Sequence, residues 1–452
     1  MCGIAGFVGH SHPPQDKIDL CLGLMRRRGP DAAACSRHFF PPDRHVCLLH
    51  SRLGIIDLDE RSNQPFRAGP ASMVFNGEIY NYLELRRELE AAGTEFSTAS
   101  DTEVLLRGLL FERESFLARC EGMWAFALYD ETDGSLLLSR DRFGEKPLYL
   151  LRDERSLWFG SEAKFLFALR GRRPAVNLPH LRRYLVHGYK SLYKTTDCFF
   201  EGLSELPRAT ALRLLPGARE ESSRYWTPAL RPRESMSYDE AVQNTRRAVL
   251  DTVRLRLRAD VPMAFCLSGG IDSNSLIGVA KKVYGYDVHG FTIVNSDARY
   301  EEWDMVEHAV RSLGIRHTAI PVRTDGFLLN LRELVRQHDA PVYTITYYAN
   351  WLLMRSVAEH GYRIVVSGTG ADELFSGYFD HHLAYLREVS KDPELYAASL
   401  AAWEKHVRPL VRNPFLKQPR LFQDDPTFRG HIYLDAPDFA AEIGRASCRE
   451  RV

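Results

Sequence analysis

Three short stretches carry residues whose types and spacing suit chemistry. The chain opens MCGIAGFVG, which puts Cys2 directly behind the initiator methionine. Removal of a methionine before a small residue leaves a free α-amino group on the cysteine. One residue then holds a soft nucleophile and an amine that titrates near ~7.7–8.0, a suitable base at neutral pH. A cysteine heading a buried strand, CGIAGFV, accounts for the same residues structurally. Further on, Ser268-Gly269-Gly270-Ile271-Asp272-Ser273 and Ser367-Gly368-Thr369-Gly370-Ala371-Asp372-Glu373 each follow an apolar run. Paired glycines let the backbone approach a ligand, successive N–H groups form an anion nest, and a helix N-terminus adds positive potential for phosphate. Ser268 and Ser273 can donate to phosphate oxygens. Asp272 repels a bare phosphate and makes sense with a bridging Mg²⁺, a site that Asp372 and Glu373 can complete. The same residues also suit ordinary strand-to-helix turns and caps. Asp380-His381-His382 is set aside as a metal cluster, because adjacent helical residues point in different directions.

These stretches need elements to hold them. Up to about residue 205, short strands mix with a few helices. WAFALYDETDGSLLLSRD (124–141) reads as strand, turn at Asp133-Gly134 and strand, and PLYLLRDERSLWFGSE (147–162) repeats the pattern, so an antiparallel sheet is expected. Helices are expected at 16–28 and at 82–92, the latter stopped by Gly93. Ser100-Asp101-Thr102-Glu103 reads as a capping box. The segment 207–237, rich in Pro, Arg and Ser, reads as a connection laid against one domain by Tyr225 and Trp226. Beyond it strands and helices alternate: VPMAFCL, VHGFTIV, HTAIPV and YRIVVSG are strands separated by helices, the rhythm of a parallel sheet covered on both faces.

The bulk properties narrow the class. The 452 residues, 45% hydrophobic, suit two or three globular domains. Lys+Arg and Asp+Glu balance at 59 each, which argues against a broad nucleic-acid footprint. No apolar run approaches the ~18–20 residues of a membrane helix, and the opening stretch lacks the basic segment and cleavage site of a secretory signal. The eight cysteines, without a CxxC pair, read as free thiols in a reducing cytoplasm. No GxxxxGK[ST] loop occurs, and GTGADE lacks the third glycine of a dinucleotide fingerprint.

From residue 1 to about 385 the chain resembles the glutamine-dependent asparagine synthetase family, class B type. The resemblance is carried jointly by MCGIAGFVG, RRRGPDA (26–32), HSRLGIID (50–57), FNGEIYN (75–81), SDTEV (100–104), RDRFGEKPLYL (140–150), SEAKFL (161–166), LSGGIDS and SGTGADELFSGY. It implies an α+β N-terminal-nucleophile αββα sandwich followed by an α/β parallel-sheet, Rossmann-like domain of the pyrophosphatase-loop type. The expected boundaries are 1–210 for a glutaminase domain, 211–235 for the connection, 236–443 for a truncated ATP-binding domain and 444–452 for a non-native tail. The resemblance implies that Cys2 attacks the side-chain amide of glutamine, with Asn76 and the N–H of Gly77 as oxyanion donors. Arg52 would hold the α-carboxylate, Glu78 and Asp101 the α-ammonium, and the Arg52–Ile56 backbone would wall the pocket. ATP would lie on Cys266, Ser268, Gly269, Gly270, Asp272, Ser273, Ile293, Ser367 and Gly368, with Asp272 and Asp372 as the Mg²⁺ carboxylates. Ammonia would pass inside the protein to an adenylated carboxylate, by default the β-carboxylate of aspartate, giving asparagine, AMP and pyrophosphate in the cytoplasm, and a homodimer is compatible with this. Members that make asparagine usually carry Glu where this chain has Thr369, and a later PFLD-type segment is not found. An acceptor such as a sugar uronic acid is therefore a rival, and a non-catalytic relative is a third reading.

Overall fold

Gly3–Gly9 is buried along nearly its whole length, because both of its faces are covered. This is a computed structural model, which describes residues 2–229, 235–294, 302–322, 325–432 and 441. The strands of the first half are β1 (Gly3–Gly9), β2 (Ala32–Phe40), β3 (Arg44–Arg52), β4 (Phe66–Ala68), β5 (Ala71–Ile79), β6 (Gly122–Asp130), β7 (Leu136–Arg140), β8 (Tyr149–Arg152), β9 (Leu157–Gly160), β10 (Leu203–Glu205), β11 (Thr210–Leu214) and β12 (Glu220–Arg224). They form two antiparallel sheets, ordered β10-β8-β9-β1-β3-β2 and β12-β11-β7-β6-β5-β4.

Alternation along each strand sorts its side chains between layers. Ile4 and Val8 meet Val74, Ala127, Leu138 and Leu212 between the sheets. Ala5 and Phe7 face outward against the helices Gln15–Met25 and Ala163–Arg170. On the other side Phe75, Trp124 and Phe126 pack on the helices Tyr82–Ala91 and Asp101–Glu112. The result is the expected helix–sheet–sheet–helix sandwich. Phe159 lies fully buried between the sheets, and a Cβ added at Gly6 would come 2.1 Å from its ring. Phe159→Ala is expected to cost about 3–5 kcal/mol of stability, read as a lower urea midpoint.

Two local expectations need correction. Residues 210–224 are not a bare connection: β11 pairs with β7 and β12, and Leu212 and Leu214 enter the core. Flanking Pro and Arg residues obscured a strand whose apolar positions are buried. Tyr225 does lie against the sandwich, stacked on Trp124 at 5.9 Å. The capping box is half present. Ser100 Oγ accepts from Thr102 N–H at 3.1 Å, but Glu103 turns instead to Thr98, accepting its N–H and O–H at 2.7 Å each.

The second half holds a parallel sheet of β13 (Met263–Cys266), β14 (His289–Val294), β15 (Arg316–Pro321) and β16 (Ile364–Val366), ordered β15-β14-β13-β16. Met263 and Phe265 pack with Ile277 and Val306 on one face, while Ala264 and Phe291 pack with Leu353 and Val357 on the other. Strand order reverses at β13, so the loops after β13 and β16 flank a topological switch point, where open α/β sheets bind ligands. Among the described residues no helix is long and apolar enough to cross a membrane. The tail 444–452 lies outside the described residues.

Candidate functional site

β1, β3 and β5 converge on one pocket. It is lined by Cys2, Arg52, Leu53, Ile56, Asn76, Gly77, Glu78 and Asp101, all picked out in the sequence, and by Lys146 and Gln64, which were not. Cys2 Sγ accepts from the Leu53 N–H at 3.3 Å, while Arg28 Nε donates to Cys2 O at 2.9 Å. Burial pushes the Cys2 thiol above its usual value, although the Leu53 backbone hydrogen bond opposes the rise. A thiol held in that state needs a base to ionise it.

Asn76 sits in β5 and is 1% exposed, with its Nδ2 lacking any partner among the described residues. A buried amide donor left unpaired costs free energy, and here it borders the pocket that holds the thiol. Gly77 is fixed by its neighbour strand, since an added Cβ would stand 2.2 Å from Met123 O. Arg52 is held by the loop beyond β3. Its Nη1 donates to Asp59 O and Asn63 Oδ1 at 2.8 Å each, and its Nη2 donates to Asp57 O. That leaves the Nε side of the fork for a ligand carboxylate.

The opposite wall is acidic. Burial, then the nearby Asp101, pushes Glu78 up to about 7, against the pull of Lys146. Burial also raises Asp101 to about 6, although it accepts the Ile79 N–H at 3.0 Å. Burial lowers the Lys146 ammonium, which Glu78 partly restores. Two buried carboxylates beside one cation leave room for a second cationic group.

The second site lies at the switch point. One cavity is lined by Cys266, Ser268, Gly270, Asp272, Ser273, Ile293, Ser367, Gly368, Thr369 and Asp372. Between Gly368 and Gly370 stands Thr369, whose Oγ1 lies 2.8 Å from Ser367 Oγ. The two loops touch, since a Cβ on Gly368 would come 3.0 Å from Ser273 N. Gly269 is the one expected residue outside the cavity lining, because its N–H donates to the Glu302 carboxylate at 2.7 Å. Glu302 stands in for an anion on the nest, so the donor set fits a phosphate. The Ser268 and Ser273 hydroxyls lie 2.9 Å apart beside it. Asp272 and Asp372 border the same cavity, although no cluster of three metal-binding side chains occurs among the described residues. Two carboxylates fit Mg²⁺ when phosphate oxygens and water supply its other ligands.

Lys146 lies within the RDRFGEKPLYL stretch, but nothing in a lone lysine marked it as a pocket residue. Glu302 and Asn350, which also line the second cavity, follow no motif and are brought there by the fold, whereas Tyr378, in the same lining, closes the SGTGADELFSGY stretch.

Residues 1–226 match the family described as glutamine amidotransferase domain, and residues 244–437 match the family described as asparagine synthase. Glutamine-hydrolysing asparagine synthetase 1 of Bacillus subtilis is 31% identical over 386 residues, which cover 84% of this chain and 59% of that protein. Amidase chry2 of Gibberella zeae is 29% identical over 409 residues, covering 84% of this chain and 59% of that protein. Glutamine-hydrolysing asparagine synthetase 3 of Bacillus subtilis is 29% identical, with 85% and 64% covered. The chain thus spans about 59% of the length of the first of these relatives.

Proposed function

This chain belongs to the glutamine-hydrolysing asparagine synthetase family, and we infer that it releases ammonia from glutamine at Cys2 and delivers it to a carboxylate activated by ATP. The observation that carries this reading is the company of the Cys2 thiol: an unpaired buried amide on Asn76, a guanidinium on Arg52 and two acids on Glu78 and Asp101 in one pocket. A zwitterionic amino acid needs a cation and one or two anions at its head, and this pocket offers both. The thiol attacks the amide carbon, the developing oxyanion takes the Asn76 Nδ2–H and the Gly77 N–H, and the α-amine of Cys2 moves the proton to the departing ammonia.

Protonation removes the negative charge that an α-ammonium needs. KM for glutamine is therefore expected to rise severalfold as pH falls from above 7 to below 6, across the range in which Glu78 and Asp101 take up protons. Initial rates over a pH series check this, and a flat KM would remove these acids from ammonium binding.

In the second half, ATP would lie on the SGGIDS loop, with Asp272 and Asp372 facing Mg²⁺ shared with its phosphates. Pyrophosphate would leave as the carboxylate is activated. The β-carboxylate of aspartate is the default acceptor. Thr369 supports a second acceptor class, a sugar uronic acid, because its hydroxyl cannot act as a base at neutral pH where relatives that make asparagine carry Glu. Pyrophosphate release with glutamine and a panel of carboxylates tests both. Release with a uronic acid and none with aspartate would reject the asparagine reading.

A further inference from the structure

Asp260 comes three residues before β13, in the half opposite to the thiol, yet it reaches the wall of the thiol's pocket. Its Oδ2 accepts the Asp57 N–H at 2.6 Å, and its own N–H donates to Ile55 O at 2.9 Å. These two bonds clamp the segment that lines the pocket as Leu53, Ile55 and Ile56. Asp57 needs a clamp: its φ is 51°, in the left-handed region that costs a non-glycine residue energy. In that conformation Asp57 O accepts from Arg52, while its carboxylate accepts Ser62 Oγ–H and the Ala99 N–H at 2.7 Å each. The segment thus runs from Asp260 through Asp57 to the guanidinium at the ligand's head.

We propose that Asp260 is a positioning residue for glutamine binding, acting through Asp57 on Arg52. It does not touch the ligand. It stands at the entry of the strand whose other end carries Ser268–Ser273, so one short strand joins the clamp on the first pocket to the loop of the second. The proposal rests on the reading of the first pocket as a glutamine site.

The test measures glutaminase kinetics and Cys2 alkylation by iodoacetamide on the full chain. Asp260→Ala is expected to raise KM for glutamine about tenfold, with kcat and the alkylation rate within twofold of the parent. Asp260→Asn keeps an acceptor for the Asp57 N–H and is expected to restore KM to within about threefold. Arg27→Met removes an exposed tie across the same joint, Arg27 Nη1 to Glu333 at 2.7 Å, and is expected to leave KM unchanged. An unchanged KM in Asp260→Ala would overturn the proposal and leave the glutamine pocket standing. Equal losses in Asp260→Ala and Arg27→Met would also overturn it, since general loosening would then be the cause. A parent chain that hydrolyses no glutamine would overturn the pocket reading, and the proposal with it.

Discussion

Cys2→Ala is expected to reduce glutamine hydrolysis by at least about a thousandfold, to the level of the uncatalysed background. The pocket would survive the change. Cys2 Sγ accepts one hydrogen bond from Leu53, and the backbone carbonyl that Arg28 holds remains. Glutamine should therefore still bind, and isothermal titration of the alanine variant should give an affinity close to the parent's. Wherever the second half turns over an acceptor with added ammonium salt, that activity should be spared, because its cavity shares no residue with the first pocket. Persistence of glutamine hydrolysis would show that the thiol is structural. A one-residue insertion between Met1 and Cys2 sharpens the test. It keeps the thiol in the chain but moves the free amine away, so activity should fall as far as in the alanine variant.

Asn76→Ala is the other large effect, and it should look different. Removing one oxyanion donor typically costs about 10²–10³ in kcat. The side chain is 1% exposed and its Nδ2 donates to nothing else among the described residues. Most amide-to-alanine changes in a core lose a hydrogen bond of the resting fold, but this one removes an unpaired buried donor. The melting temperature should hence change little while kcat collapses and KM stays near the parent value. A large drop in melting temperature with proportionate loss of activity would mean that Asn76 serves the fold rather than the reaction.

The two halves were legible to different depths. Alternation in the hairpins 124–141 and 147–162 was strong enough to give the antiparallel sheets, since β6 to β9 fall where the pattern put them. The parallel sheet followed from strand–helix rhythm, but its order did not, because order is decided by pairing between distant strands. β11 and β12 were hidden: ALRLL sits among Pro, Arg and Ser, and only burial against β7 reveals it as a strand. At the first pocket the motif residues line one cavity. Lys146 and Gln64 escaped because their roles arise from burial: Gln64 accepts the Phe75 N–H at 2.6 Å and donates to Thr102, which no spacing announces. Glu302 escaped for the same reason.

The joint between the halves is laced with charge pairs. Lys164 reaches Asp339 at 3.1 Å, Arg258 grips Glu84 at 2.6 Å, Arg363 meets Asp31 at 2.5 Å and Arg27 meets Glu333 at 2.7 Å. The Lys164–Asp339 pair is 16% and 17% exposed, whereas Arg363 and Asp31 are 39% and 30% exposed. Screening falls on exposed pairs before buried ones and leaves apolar cores nearly untouched. Ionic strength should therefore act on the joint before it acts on either core. Raising sodium chloride is expected to split a single melting transition into two, as the halves cease to report on each other's unfolding.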